Sequence, residues 1–173
     1  MSRKYLNERW CVRCNRTSPC PYLLKNIKLF NNDYIKDKLV LDCGCGNGRN
    51  SNYLKSIGFK NIMSLDMAGD FGTKMVLGKD NIPADSMSAR LILCNYLFMF
   101  LNDKEGEKLF CQINSIADVG CYLLVELYPA KDSYLKTKEK ALSYQKKMYN
   151  DFAYRGWKKV RYSQQRFILE KMI

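Results

Sequence analysis

The chain has 173 residues, 47% of them apolar and 27% charged, enough for one domain with its own core. No apolar run reaches the roughly 20 residues that a membrane-spanning helix needs, and the polar start Met1–Glu8 has no leader-like apolar stretch, so a soluble, intracellular, cytoplasmic protein is expected. Lys and Arg number 29 against 17 Asp and Glu, a net charge of +12, and histidine is absent, which removes the commonest general base and metal ligand at neutral pH.

Residues 1–20 are polar and basic and carry Cys11, Cys14 and Cys20. Their spacing opens like a zinc site, but such a site wants four ligands, and neither a nearby fourth cysteine nor a histidine follows. The expectation is therefore no metal. On this reading the segment caps the active site, with Arg9, Trp10, Arg13 and Arg16 available to touch substrate. Leu24, Ile27 and Phe30 recur at helical spacing and predict a helix over Pro21–Asn31. Lys38–Asp42 reads as a short buried strand running into the turn Cys43-Gly44-Cys45-Gly46-Asn47-Gly48. A helix follows over Arg49–Ile57, with Tyr53, Leu54 and Ile57 on one side and Gly58 as its stop.

The pattern repeats further on. Asn61–Asp66, Lys74–Gly78 and Arg90–Cys94 read as the second, third and fourth strands. Glu105–Ala117 reads as a helix burying Leu109, Ile113 and Ile116, ended by Gly120, and Cys121–Glu126 as the fifth strand. A Lys-rich helix is expected over Tyr134–Tyr154. Two closing strands, Trp157–Ser163 and Arg166–Met172, are joined by Gln164-Gln165, a linker short enough for an antiparallel hairpin. Apolar strands alternating with amphipathic helices argue for a parallel sheet covered on both faces. Of the eight cysteines, Cys43, Cys94 and Cys121 fall in or beside apolar strands, where a free thiol acts as a small hydrophobe and suits a reducing compartment.

The chemistry concentrates at the glycine turn. Glycines let backbone turn tightly and approach a ligand closely, and the helix start behind them supplies free N–H groups. Asp66, closing the second strand, is placed to accept from both hydroxyls of a ribose. A dinucleotide fingerprint would want Gly or Ala where bulky Arg49 stands, and no Walker-type Gly-Lys-Ser/Thr follows.

The run Val40-Leu41-Asp42-Cys43-Gly44-Cys45-Gly46-Asn47-Gly48 resembles motif I of class I S-adenosylmethionine (SAM)-dependent methyltransferases. The resemblance extends over about residues 38–172. Asp66 falls at the family's ribose-binding acid, Leu93-Cys94-Asn95-Tyr96 at the end of its fourth strand, and Gly120–Glu126 at its fifth. It implies an α/β, Rossmann-like, doubly wound, mostly parallel seven-stranded sheet with a C-terminal antiparallel strand pair and helices on both faces. Residues 1–173 then form a single domain, with the cysteine-bearing segment 1–37 ahead of a SAM-binding core 38–173.

The resemblance also implies roles. Gly44, Gly46 and Gly48, with Cys43, Cys45, Asn47 and Asn50 around them, would line the cofactor. Asp42 would sit near its amino group, Met67 would pack on adenine, Asp80 would reach the adenine amine, and Cys94 would line the sulfonium side. Asn95, Tyr96 and Glu126 are the candidate catalytic residues, with Glu126 and Tyr128 placed beyond the fifth strand where ligands lie in open α/β sheets. Asn95-Tyr96-Leu97-Phe98 lacks both prolines of the amino-methylating DNA enzymes, so their base specificity is not carried over. Little chain separates Asp66 from the third strand, where the family has a full helix. Arg90 stands where the family often has Asp.

The function expected is methyl transfer from SAM to an unidentified acceptor. The positive charge leans toward nucleic acid, although a lysine-rich solvating surface gives the same count, and a small molecule stays open. The competing expectation is a non-catalytic SAM-binding partner or regulatory module on the same fold. No membrane partner is expected, and the oligomeric state is left open.

Overall fold

Period-two alternation along the central strands decides which of two helical layers each side chain meets. In the computed structural model, which describes residues 17–67, 71–127, 137–163 and 165–173, the strands are β1 (Leu39–Cys43), β2 (Asn61–Asp66), β3 (Thr73–Lys74), β4 (Ala89–Asn95), β5 (Ala117–Glu126), β6 (Trp157–Ser163) and β7 (Arg166–Lys171). They form one sheet in the order β3-β2-β1-β4-β5-β7-β6. The neighbours from β3 through to β5 are parallel, and β7 is antiparallel to both β5 and β6. This is the Rossmann-like arrangement that the resemblance implies.

Leu41, Ile92, Leu123, Val125, Phe167 and Leu169 face one layer, where they pack with Leu109, Phe110 and Ile113 of α4 (Asp103–Ile116) and Met148 and Phe152 of α5 (Lys138–Tyr154). Val40, Leu91, Leu93, Leu124 and Ile168 face the other, against Tyr22 and Leu23 of α1 (Pro21–Asn26) and Leu54 of α3 (Arg49–Ser56), with Ile35 of α2 (Asp33–Lys36) beside them. Both faces of the central strands are thus covered, as a parallel sheet requires.

Local chemistry sets the ends. The Asn102 side chain accepts from Glu105 N–H and Glu105 returns a bond to Asn102 N–H, a capping box that starts α4. Gly58, at φ +96°, stops α3 as expected, and Phe59 N–H donates to Leu54 O (3.1 Å).

Three expectations are corrected. The first helix is α-helical only to Asn26 and tightens to a 3-10 turn over Ile27–Leu29. The third strand is Thr73–Lys74, not Lys74–Gly78. Met75 and Leu77 are apolar because they plug into the core as loop, and Gly78 lies so close to α4 that a Cβ there would stand 2.5 Å from Glu105 O. Gly120 does not end α4. The helix stops at Ile116 and the chain passes directly into β5, where Gly120 (φ +79°) sits in a bulge between the pairs Ala89–Ala117 and Leu91–Tyr122. Of the helix expected over Tyr134–Tyr154, the described part is Lys138–Tyr154.

Candidate active site

The carboxyl ends of β1, β2, β4 and β5 come together where the strand order reverses between β1 and β4, the position at which open α/β sheets bind ligands. Two structures stand side by side there: a corner made of backbone and a cluster made of side chains.

The corner is the glycine turn. Gly44 and Cys45 N–H both donate to Leu65 O (2.7 and 3.1 Å), which ties the turn to β2, and Gly48 N–H closes it onto Cys45 O (2.9 Å). Gly46 N–H donates to Asp66 Oδ2 (2.8 Å). Gly44, Gly46 and Gly48 all have positive φ (76°, 55° and 75°), a region costly for other residues. What their missing Cβ atoms would meet differs. At Gly44 the neighbour is Leu97 at 3.3 Å, and at Gly48 it is the Phe71 ring at 2.3 Å, while nothing lies within 4 Å at Gly46. The turn therefore leaves a slot of open space over Gly46, whose N–H holds the Asp66 carboxylate, while Leu97 and Phe71 pack over the flanking Gly44 and Gly48.

Behind the slot, Asp42 is 1% exposed. Its Oδ2 accepts from Ser51 Oγ (2.6 Å), which also lies 2.7 Å from Ser64 Oγ, so α3 and β2 are pinned to β1 through one buried hydroxyl. Burial pushes the Asp42 carboxyl up to about 6, against the opposing pull of the Ser51 hydrogen bonds. Cys43 and Cys94 are fully buried neighbours on β1 and β4, where burial first and the Cys43 contact second hold the Cys94 thiol neutral. Burial likewise raises the Cys45 thiol, whose sulfur approaches Phe71 O (3.5 Å). These are packing thiols rather than reactive ones.

The side-chain cluster lies beyond β4 and β5. Cys20 N–H donates to Asn50 Oδ1 (2.8 Å), and Asn50 Nδ2 donates to Asn95 Oδ1 (3.1 Å). Asn95 Nδ2 reaches Glu126 Oε2 (2.8 Å) and Cys20 Sγ (3.3 Å), and the Cys20 thiol closes the ring onto Glu126 Oε2. Glu126 is fully buried, and Arg166 Nε stands 2.8 Å from its Oε1 as an ion pair without hydrogen-bond alignment. The Arg166 guanidinium also lies 5.6 Å from the centre of the Tyr22 ring. Among the described residues, Glu126 Oε1 and Tyr22 Oη are both buried and hydrogen-bond to nothing. Tyr96 follows in a left-handed conformation (φ 59°), held by its N–H to Glu126 O (2.9 Å). Cys20, Tyr22 and Tyr96 are each pushed up to about 12, by burial first and by the Glu126 charge second.

The structure thus brings Asp42, the glycines, Asn50, Asp66, Cys94, Asn95, Tyr96 and Glu126 to one edge. Asn47 is exposed there and Met67 half-buried. Asp80 is exposed in a turn, its Oδ2 accepting from Val76 N–H (2.7 Å). Tyr128, Arg9, Trp10, Cys11, Arg13, Cys14 and Arg16 lie outside the described residues. Cys20, the remaining candidate zinc ligand, is engaged with Glu126 and Asn95, and among the described residues no group of three or more metal-ligating side chains gathers.

Sequence reasoning missed Ser51, Phe71, Leu97, Tyr22 and Arg166. Arg166 comes opposite Glu126 only through the antiparallel β5–β7 register, which the sequence does not give. The others are read only from packing.

The sequence model of one family, described as tellurite resistance protein TehB, matches residues 28–172. Among solved structures, TehB from Haemophilus influenzae is similar (TM-score 0.62, 17% identity) over 95% of this chain and 66% of that one, so the chain spans just under two thirds of that protein. A putative S-adenosyl-L-methionine-dependent methyltransferase from Methanococcus maripaludis is similar (TM-score 0.64, 15% identity) over 98% and 93% of the two chains. Magnesium protoporphyrin IX methyltransferase (ChlM) from Synechocystis PCC 6803 with bound SAM is similar (0.59, 16%) over 98% and 94%. No curated protein matches by sequence. At such identities the structures establish the fold alone: that of class I SAM-dependent methyltransferases.

Proposed function

The chain belongs to the TehB family, and from that premise we propose that it is a SAM-dependent methyltransferase acting on a small acceptor held against Asn95, Tyr96 and Glu126. The observation that carries this reading is the open slot over Gly46, flanked by the Asp66 carboxylate in an otherwise closed corner. A nucleoside would lie in that open space. Asp66 would hold the ribose hydroxyls in exchange for its bond to Gly46 N–H, the backbone of Gly44–Gly48 would line the amino-acid end, and Asp42 would set the charge behind it. Met67 and Asp80 are the residues proposed for the adenine, and Cys94 for the wall of the sulfonium side. Bound SAM supplies an activated methyl group: a bond from acceptor to carbon forms as the carbon–sulfur bond breaks, with its electron pair left on sulfur. The protein's part is alignment, for which the orienting ring Cys20–Asn50–Asn95–Glu126 is built.

A small acceptor is favoured over nucleic acid by the enclosure of this side, where Tyr22 is 8% and Asn95 7% exposed. The exposed basic residues Lys158, Lys159 and Arg161 are on β6, three strands across the sheet from β4. Lysines there also discourage edge-to-edge pairing. Among the described residues no helix is long and apolar enough to cross a membrane.

Calorimetry with SAM, followed by transfer of labelled methyl to metabolite and RNA pools, tests the reading. Micromolar binding with label transfer is expected. Binding without transfer to any pool identifies a non-catalytic SAM-binding module, and absence of binding rejects the proposal.

A further inference from the structure

In an open α/β sheet a nucleotide's phosphates are bound at the start of the helix behind the glycine turn, where backbone N–H groups point at the anion. In this chain that place is taken. The N–H groups of Gly44, Cys45, Gly46 and Gly48 are spent on Leu65 O, Asp66 and Cys45 O. The Ser51 N–H bonds the buried Asp42 carboxylate, which sets a fixed acid under the first turn of α3. Gly48 precedes that turn without a side chain, and the ring of Phe71 stands in the place of one. Its Cδ1, Cε1 and Cζ lie 2.3, 2.3 and 2.4 Å from where a Cβ would be.

The ring is held there by its surroundings. The next residue, Gly72 (φ +81°), presses so close to β2 that a Cβ would stand 2.4 Å from Ser64 O, and the Cys45 thiol approaches Phe71 O at 3.5 Å. The bland account is an apolar plug in the short connection between β2 and β3. Against it, Phe71 belongs to neither apolar core of the described residues and is only half-buried. A large ring that completes no core but covers a helix start acts on what binds at that start.

We propose, resting on the SAM-binding reading, that Phe71 is a specificity-determining residue: its ring denies the glycine turn to phosphate-bearing nucleotides and leaves the space over Gly46 to a nucleoside without a phosphate chain. SAM is of that kind, with an amino-acid chain on a sulfonium where a nucleotide has its phosphates. An apolar ring gives a phosphate no hydrogen bond and displaces its water, a cost of desolvated charge that nothing beside it offsets. At Gly46 nothing lies within 4 Å of the Cβ position, so the nucleoside itself is not turned away.

The test uses the full chain and calorimetry with S-adenosylhomocysteine, adenosine, ADP and NAD, on wild type, Phe71→Ala and Phe71→Leu, each checked for a cooperative melt. The wild type should bind S-adenosylhomocysteine at least a hundredfold tighter than ADP or NAD. Phe71→Ala bares the helix start, and that ratio should fall at least tenfold through a lower ADP Kd, a gain that loosening of the fold does not produce. The smaller change Phe71→Leu, at a half-buried position, should move the ratio the same way by at least threefold, so either folded variant decides. An ADP Kd unchanged in the folded variants overturns the proposal, and so does a wild type that binds ADP as tightly as S-adenosylhomocysteine. Weaker S-adenosylhomocysteine binding without a gain for ADP also overturns it, because the ring is then a wall of the nucleoside site and not a filter. A wild type that binds neither SAM nor S-adenosylhomocysteine defeats the underlying methyltransferase reading instead.

Discussion

The glycine corner and the side-chain cluster share an edge of the sheet but are built on opposite principles. The corner is backbone: consecutive residues, positive φ at three glycines, N–H groups spent on Leu65 O and Asp66, and an open face. The cluster is side chain: Cys20, Asn50, Asn95 and Glu126 come from distant points of the chain and close a buried hydrogen-bonded ring, with Arg166 ion-paired to Glu126 from outside it. A backbone site depends on sterics, so one added atom is decisive, whereas a side-chain site depends on satisfied polar groups, so its losses are graded. That contrast can be broken in four places.

The largest effect is expected at Gly46→Val. The side chain fills the open slot and meets a left-handed φ of 55°, so SAM affinity should fall more than a hundredfold while urea melts show a fold weakened by only about 1–3 kcal/mol. Retained SAM binding in calorimetry would show that the nucleoside does not lie there. Next, Asp66→Ala should cost roughly 1–3 kcal/mol of SAM binding, the worth of charged hydrogen bonds to hydroxyls. Unchanged affinity takes Asp66 out of the site.

Third is Asp42, whose cost is read through pH. Its ordinary value is 3.8 and its folded value about 6. Below 3.8 both folded and unfolded chains hold the proton and the group is neutral to stability. As pH rises to 6 the unfolded chain releases it first, so the folded state loses ground through that window, by up to about 3 kcal/mol, and stays at that cost above it. Asp42→Asn should therefore be about 1–2 kcal/mol more stable than the parent at pH 8 and lose that advantage at pH 4. An equal difference at both values would assign the effect to something other than ionisation. The smallest change is Cys20→Ser, which keeps a donor to Glu126. Melts should move by less than about 1 kcal/mol, and a loss above about 3 would mean the thiol packs in a way the hydroxyl cannot.

The same contrast explains what was legible in the sequence. The corner is contiguous, and its glycines and Asp66 announce themselves by residue type. The fold is legible because Leu39–Cys43, Asn61–Asp66 and the other apolar runs have strand length and sit between helical periods. Apolarity alone misled at Met75 and Leu77, which are buried as loop, and a glycine after a helix misled at Gly120, because burial and left-handed backbone each serve more than one element. The cluster was half legible. Asn95, Tyr96 and Glu126 sit at strand ends, but Tyr22 and Arg166 become partners only once α1 folds over the sheet and β7 takes its register against β5.

Asn50 belongs to both regions. It stands in the first turn of α3, directly behind Gly48, yet its amide gives one end to Cys20 and the other to Asn95. If a nucleoside seats at this turn as proposed, any shift of the turn is carried through this amide to Asn95 and on to Glu126. The two substrates are then thermodynamically linked. Whatever factor the first to arrive adds to the affinity of the second, the second returns to the first, and shortening Asn50 to alanine removes the bonds to Cys20 and Asn95 that would carry the coupling.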